Sequence, residues 1–273
     1  MELRFHSCES PEPETRNPEP ETRNQKPETL NHFQIKNYSP IMTQVFVLQL
    51  EEDQYAPEFL DMLIQYLPEA GKLRVRDRQN INSKLQTVAG ELLARYSVGQ
   101  YLGKPDQDIN LVFGEKGKPH IENLVNVHFN ISHSGHYVVC AVSSNQIGID
   151  VERVRKINLR IAERFFSPSE INDLMACEEE NRMHYFITLW TIKESYLKAI
   201  GRGLTQHLNS FTIVKNGDIY LLTGNTEAEG FGIETQQLEH DYIMAVCAQL
   251  PYPPSGIGHV TLNNIIKTLP KYI

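Results

Sequence analysis

Three carboxylates carry the strongest chemical signal in this chain of 273 residues. In Ile147-Gly-Ile-Asp-Val-Glu-Arg153, apolar residues alternate with Asp150 and Glu152. Positions two apart on a strand share a face, so Ile149 and Val151 point into a core while both carboxylates point the other way. Two like charges held so close repel each other unless a proton or a cation sits between them. Gly148 just before them permits a close backbone approach. A distant helical pattern supplies a third acid. Trp190 and Glu194 are four apart and share a face, with Lys193 and Leu197 beside them. Leu189, Ile192, Tyr196 and Ile200 form the neighbouring buried stripe. A solvated strand face and an ion pair on a helix surface would account for these residues without chemistry. The functional alternative is that Asp150, Glu152 and Glu194 share one Mg²⁺, which takes a few carboxylates and leaves its other positions to water and phosphate oxygens.

Two further polar groupings suit an anionic ligand. Asn130-Ile-Ser-His-Ser-Gly-His136 sets Ser132 and His133 at a strand end before a glycine, where hydroxyls, an imidazole and backbone N–H groups can hold a phosphate. A Ser-His nucleophile pair is the rival reading, but no nucleophile elbow surrounds either serine. A turn with no ligand is the plain one. Residues 72–84 hold Lys72, Arg74, Arg76, Arg78 and Lys84 against Asp77, and Gly117-Lys118-Pro119 is a tight turn presenting one lysine. On a chain with 26 Lys+Arg and 34 Asp+Glu, formal net charge -8, such patches attract anions locally. A solvated basic loop accounts for them as well.

These residues need elements to position them. A strand is expected from Gln44 to Leu50, and a helix from about Ser83 to Tyr101 with Leu85, Val88, Leu92, Leu93 and Tyr96 on one face. Strands follow near 125–131, 137–143 and 148–151. A helix runs from about Ser167 to Glu180, opened by the capping box Ser167-Pro-Ser-Glu170 and closed by the solvated run Glu178–Glu180. A second long helix covers about Tyr185 to Ile200 and stops at Gly201. Strands return near 210–214, 219–222 and 242–248. Tyr137–Ser143 and Tyr242–Ala248 match in size and polarity, and the two long helices are offset by a similar distance. The expected fold class is therefore α+β, two similar halves related by a pseudo-twofold, with a ligand cleft between them. The halves span 43–150 and 151–250, followed by a C-terminal tail at 251–273.

Residues 11–31 are a repeated Pro/Glu-rich heptad with a decayed third copy, and six of the chain's fifteen prolines precede Met42. Residues 1–42 are therefore expected to be a disordered tail outside the fold, without the apolar core of a secretory signal. No run approaches the ~18 apolar residues of a spanning helix, so no membrane role is expected. The acidic balance argues against nucleic-acid binding. Cys8, Cys140, Cys177 and Cys247 have neither metal-site nor paired spacing, which suits a reduced, cytoplasmic protein.

Taken together, Gly117-Lys-Pro119, Phe129-Asn-Ile-Ser-His-Ser134, Ile147-Gly-Ile-Asp-Val-Glu152, Phe165-Phe-Ser-Pro-Ser-Glu170 and Trp190-Thr-Ile-Lys-Glu-Ser-Tyr-Leu-Lys198 resemble the Sfp-type 4′-phosphopantetheinyl transferases in order and spacing. The likeness runs from about Met42 to Leu250. It implies a monomer that moves the 4′-phosphopantetheine arm of coenzyme A onto a serine of an apo acyl or peptidyl carrier protein, releasing adenosine 3′,5′-bisphosphate. On the matching positions it implies Asp150, Glu152 and Glu194 as Mg²⁺ ligands, Glu194 as the group drawing the serine proton, and Lys198 as the phosphate contact. Ser132, His133, Gly117, Lys118 and Thr87 would border the nucleotide. Lys72 and Arg74 are the candidates for gripping its 3′-phosphate, and Gln86 stands where a basic residue is common. The rival readings are an Mg²⁺-dependent phosphohydrolase and a non-catalytic coenzyme A- or carrier-binding scaffold. The carrier's pathway, whether peptide-synthetase, polyketide, fatty-acid or aminoadipate, stays open.

Overall fold

A computed structural model describes residues 43–104, 109–114, 119–122, 124, 126–203, 206–224, 230–239, 241–250 and 256–272. The N-terminal repeats and the turn at Gly117 and Lys118 lie outside the described residues. Everything described belongs to one compact unit, residues 39–273.

The first sheet is built from β11 (Ile257–Val260), β1 (Gln44–Gln49), β5 (Tyr137–Ser143) and β4 (His128–Ser134), in that order. The second runs β6 (Ile147–Arg153), β10 (Tyr242–Gln249), β9 (Phe231–Leu238), β8 (Ile219–Thr223) and β7 (Thr212–Asn216). A separate hairpin joins β2 (Leu111–Phe113) to β3 (Pro119–Ile121). Within the two sheets one pattern recurs. β1 is antiparallel to β5, which is antiparallel to β4; β6 is antiparallel to β10, which is antiparallel to β9. The matched segments Tyr137–Ser143 and Tyr242–Ala248 thus occupy the same place in each pattern. Each sheet carries one 22-residue helix, α3 (Ile81–Leu102) on the first and α6 (Glu179–Ile200) on the second.

Period-two alternation explains the layering. On β5, Val138, Cys140 and Val142 pack with α3 residues Leu85, Val88 and Leu92, while Tyr137, Val139 and Ala141 face the other sheet. On β10, Ile243, Ala245 and Cys247 pack toward α6, and Met244, Val246 and Ala248 join the core between the sheets. On β6, Ile147, Ile149 and Val151 enter that middle core, as the sequence pattern requires. Asp150 and Glu152 are left on the α6 side. Among the described residues, no helix is long and apolar enough to cross a membrane.

Several elements differ from the sequence reading. α5 (Pro168–Ala176) opens with the expected capping box but ends before the acidic run. Glu179 and Glu180 instead form the first turn of α6, where the positive end of the helix favours carboxylates. The basic run beginning at Lys72 is not all loop, since α2 (Glu69–Arg76) contains Lys72, Arg74 and Arg76. The segment expected as a C-terminal tail contributes β11, parallel to β1, and α7 (Leu262–Ile266), whose Leu262 and Ile265 are fully buried in the α3 core. Their hydrophobic spacing is too short to announce a helix without a partner. α1 (Pro57–Ile64), α4 (Ala162–Phe165) and short 3₁₀ turns complete the chain.

Candidate functional site

β4 and β6 are edge strands of different sheets, and they meet through side chains. Asn130 Oδ1 accepts the Ile149 N–H at 2.9 Å, Ser132 Oγ donates to Asp150 Oδ1 at 2.8 Å, and Ser134 Oγ donates to Glu152 Oε2 at 3.0 Å. Alternate residues of β4 therefore stitch the seam between the two sheets at the position of the two acids. α6 lies directly over this seam because residue 148 is glycine. A Cβ there would stand 2.0 Å from the Ser195 carbonyl oxygen and 2.3 Å from the Ala199 nitrogen. This close approach brings Glu194 and Lys198, one helical turn apart, onto the acid-bearing face of β6.

The Lys198 ammonium donates to Asp150 Oδ1 at 2.7 Å and to Ser132 Oγ at 2.8 Å. Asp150 is only 4% exposed, and its Oδ2 is buried with no hydrogen-bond partner among the described residues. Burial, and then repulsion from Asp150, push the carboxyls of both Glu152 and Glu194 above the ordinary carboxylate value; Ser134 opposes the shift at Glu152 and Lys198 opposes it at both. The structure thus brings the three acids together as interacting charges. It does not present them as a finished ligand set: among the described residues, no group of three His, Cys, Asp or Glu side chains is placed to hold a metal ion. One oxygen of Asp150 is taken by Lys198 and one of Glu152 by Ser134. The donor set still fits a hard divalent cation. It is all oxygen, it includes a buried oxygen without a donor, and its mutual repulsion is what a cation would relieve.

The other candidates divide. Ser132 faces the acids, while His133, next in the strand, belongs to the opposite face. Its ring reaches solvent, yet the protein packed around it and then the charges of Lys198 and Arg78 hold its imidazole below the ordinary value. Arg78 is thus a member of the basic run whose charge bears on His133. The two residues singled out from that run have other partners. Lys72 pairs with Glu69 at 2.9 Å and also donates to the Tyr272 carbonyl, and Arg74 pairs with the buried carboxylate of Glu91. Thr87 Oγ1 donates to its own helix at Ser83 O, 2.7 Å away. Gln86 does not stand open as a substitute for a basic residue. Its Nε2 donates to Gly135 O at 2.9 Å and braces the turn after Ser134. Lys193, expected on the Glu194 face, is wholly buried on the far side of α6. Sequence reasoning gave no role to Asn130 and offered the Ser134 hydroxyl only to a phosphate, although the period-two pattern Asn-x-Ser-x-Ser was available to show that both share a face with Ser132.

Beside Glu152 opens a cavity of about 370 Å³, lined by Arg155, Ile157, Ile161, Phe186 and Trp190 among others. Trp190 is held by Phe165 edge-on, with ring centroids 5.0 Å apart. The end of β6 and the segment after it carry Arg153, Arg155, Lys156, Arg160 and Arg164, all exposed.

Comparison with known proteins identifies the family. The family model of the 4′-phosphopantetheinyl transferase superfamily matches residues 146–247, and that of the 4′-phosphopantetheinyl transferase N-terminal region matches 54–145, so the two meet between β5 and β6. The 4′-phosphopantetheinyl transferase Sfp of Bacillus subtilis is 37% identical over 183 residues, 66% of this chain and 81% of that protein. A second Bacillus subtilis relative, 4′-phosphopantetheinyl transferase ffp, is 34% identical over 211 residues, 77% of this chain and 94% of that protein. The 4′-phosphopantetheinyl transferase psf-1 of Bacillus pumilus is 31% identical over 230 residues, 83% of this chain and 98% of that protein. The chain belongs to the Sfp-type 4′-phosphopantetheinyl transferases.

Proposed function

We propose that the protein transfers the 4′-phosphopantetheine arm of coenzyme A to a serine hydroxyl of an apo acyl or peptidyl carrier, releasing adenosine 3′,5′-bisphosphate. The observation that carries this reading is the convergence of Asp150, Glu152, Glu194 and Lys198 on one seam between the two sheets. Asp150, Glu152 and Glu194 would hold Mg²⁺, which when bound supplies charge neutralisation for the pyrophosphate. The chain's own residues do the rest. Glu194, with its carboxyl pushed upward by burial and by Asp150, is suited to take the serine proton as the oxygen attacks phosphorus. Lys198, released from Asp150, steadies the departing phosphate. Ser132 and His133 border the nucleotide, with Arg78 a better placed cation than Lys72 or Arg74. The mainly apolar cavity beside Glu152 suits the uncharged arm, and the exposed basic segment 153–164 suits an acidic carrier surface.

The test is incubation with coenzyme A, Mg²⁺ and a panel of apo carriers, read by intact mass. The reading requires one arm on a carrier serine and no nucleotide release without carrier. Nucleotide or phosphate release that needs no carrier would instead establish a phosphohydrolase. Coenzyme A binding without any turnover would establish a scaffold.

A further inference from the structure

Lys193 precedes Glu194 in the chain but points to the opposite side of α6. Its ammonium is 2.9 Å from Glu170 Oε2 and donates to Leu208 O at 2.8 Å and Phe211 O at 2.7 Å, with the Phe211 ring centroid 4.4 Å away. Glu170 is engaged on both oxygens. Oε2 also accepts the Ser167 N–H at 2.8 Å, completing the α5 cap, and Oε1 accepts the Ile213 N–H at 2.8 Å. One buried ion pair therefore ties α6 to the start of α5, to the 3₁₀ turn at Leu208–Ser210 and to β7.

Stability alone is a poor reason for such a pair, because replacing buried ions with apolar groups is often neutral or stabilising. Geometry offers a better one. Neighbouring helix positions are separated by about 100° around the axis. A side chain pinned to three fixed acceptors at position 193 thus sets the rotation of α6, and with it the direction of Glu194 and Lys198. Gly148 sets the other coordinate, the distance of the helix from β6. We propose that Glu170 and Lys193 are positioning residues for the acid site, holding α6 at the rotation that turns Glu194 toward Asp150 and Glu152. This rests on the Mg²⁺ reading above.

The test uses the chain's only tryptophan, Trp190, one turn from Glu194, as a fluorescence reporter of Mn²⁺ quenching. The paired variant Glu170→Gln/Lys193→Met removes both charges together, so no buried ion is left alone. It should melt cooperatively near the wild-type temperature and keep its coenzyme A KM at saturating Mg²⁺, yet bind Mn²⁺ roughly tenfold more weakly, the low end of what ligand-supporting residues contribute. A folded paired variant with wild-type Mn²⁺ affinity overturns the proposal. If that variant does not fold, Glu170→Asp decides, since it keeps both charges and shortens the reach to Lys193 by one methylene. Weaker Mn²⁺ binding supports the proposal and unchanged binding overturns it. A wild-type protein that neither binds Mn²⁺ nor transfers the arm would sink the metal reading itself, an outcome distinct from wild-type binding that the variants leave untouched.

Discussion

Replacing Gly148 with alanine tests how tightly the site depends on the approach of α6 to β6. The added Cβ would stand 2.0 Å from Ser195 O, 2.3 Å from Ala199 N and 2.9 Å from Ala199 Cα, all backbone atoms of α6. Backbone cannot swing aside as a flexible side chain does, so the helix must withdraw. To reach ordinary contact at 3.4 Å it would have to move by about 1.4 Å. The Lys198–Asp150 bond, 2.7 Å long, would then leave hydrogen-bond range, and Glu194 would move off with it. Overpacking of this kind costs about 2–3 kcal/mol, which for a domain of this size lowers Tm by roughly 6–9 °C. A misplacement near 1 Å costs on the order of 100-fold in rate. The assay is a calorimetric melt of Gly148→Ala, followed by arm transfer to a carrier measured at a temperature where the variant is folded. A variant with wild-type Tm and wild-type rate would refute the claim that backbone contact at residue 148 seats the helix.

Glu194→Gln should leave the fold intact and reduce transfer by about 100-fold or more, a barrier increase of at least ~2.7 kcal/mol; transfer at the wild-type rate would remove Glu194 from the site. Arg78→Ala should raise the coenzyme A KM more than it lowers kcat. Arg74→Ala should leave KM unchanged and lower stability by about 3 kcal/mol, because it strips the cation from buried Glu91; steady-state kinetics and melts separate the two, and the reverse pattern would restore Arg74 as a phosphate grip. The pH dependence follows from the raised carboxyls of Glu152 and Glu194. Each holds its proton more firmly folded than unfolded, so metal-free stability should fall as pH climbs from the ordinary value of 4.5 through the raised ones. Melts of the Glu152→Gln/Glu194→Gln variant should show a flatter decline, and identical profiles would contradict the coupling.

The parts of this protein that were legible in its sequence are those with a strict period. Alternation in 147–153 announced both the strand and which residues enter the middle core, because a half-buried strand has no other way to sort its side chains. The likeness of Tyr137–Ser143 to Tyr242–Ala248 was legible because both are central strands buried on two faces. What could not be read was which long-range partner each charge would choose. Lys193 and Lys198 both flank Glu194 in sequence, yet one is sealed against Glu170 and the other rests on Asp150. The basic run from Lys72 looked like one patch, yet Lys72 pairs with Glu69, Arg74 pairs with Glu91, and the charge of Arg78 bears on His133. The strand β11 was invisible because a four-residue edge strand has meaning only beside β1.

The account's central claim is that the acids at the seam hold a divalent ion against the pyrophosphate of coenzyme A. Electron paramagnetic resonance of Mn²⁺ added to the protein with coenzyme A measures this directly. The account requires bound Mn²⁺ with phosphorus hyperfine coupling, lost when Asp150→Asn, Glu152→Gln and Glu194→Gln are combined. Mn²⁺ that remains free in the wild type, or that binds the triple variant equally well, would contradict it.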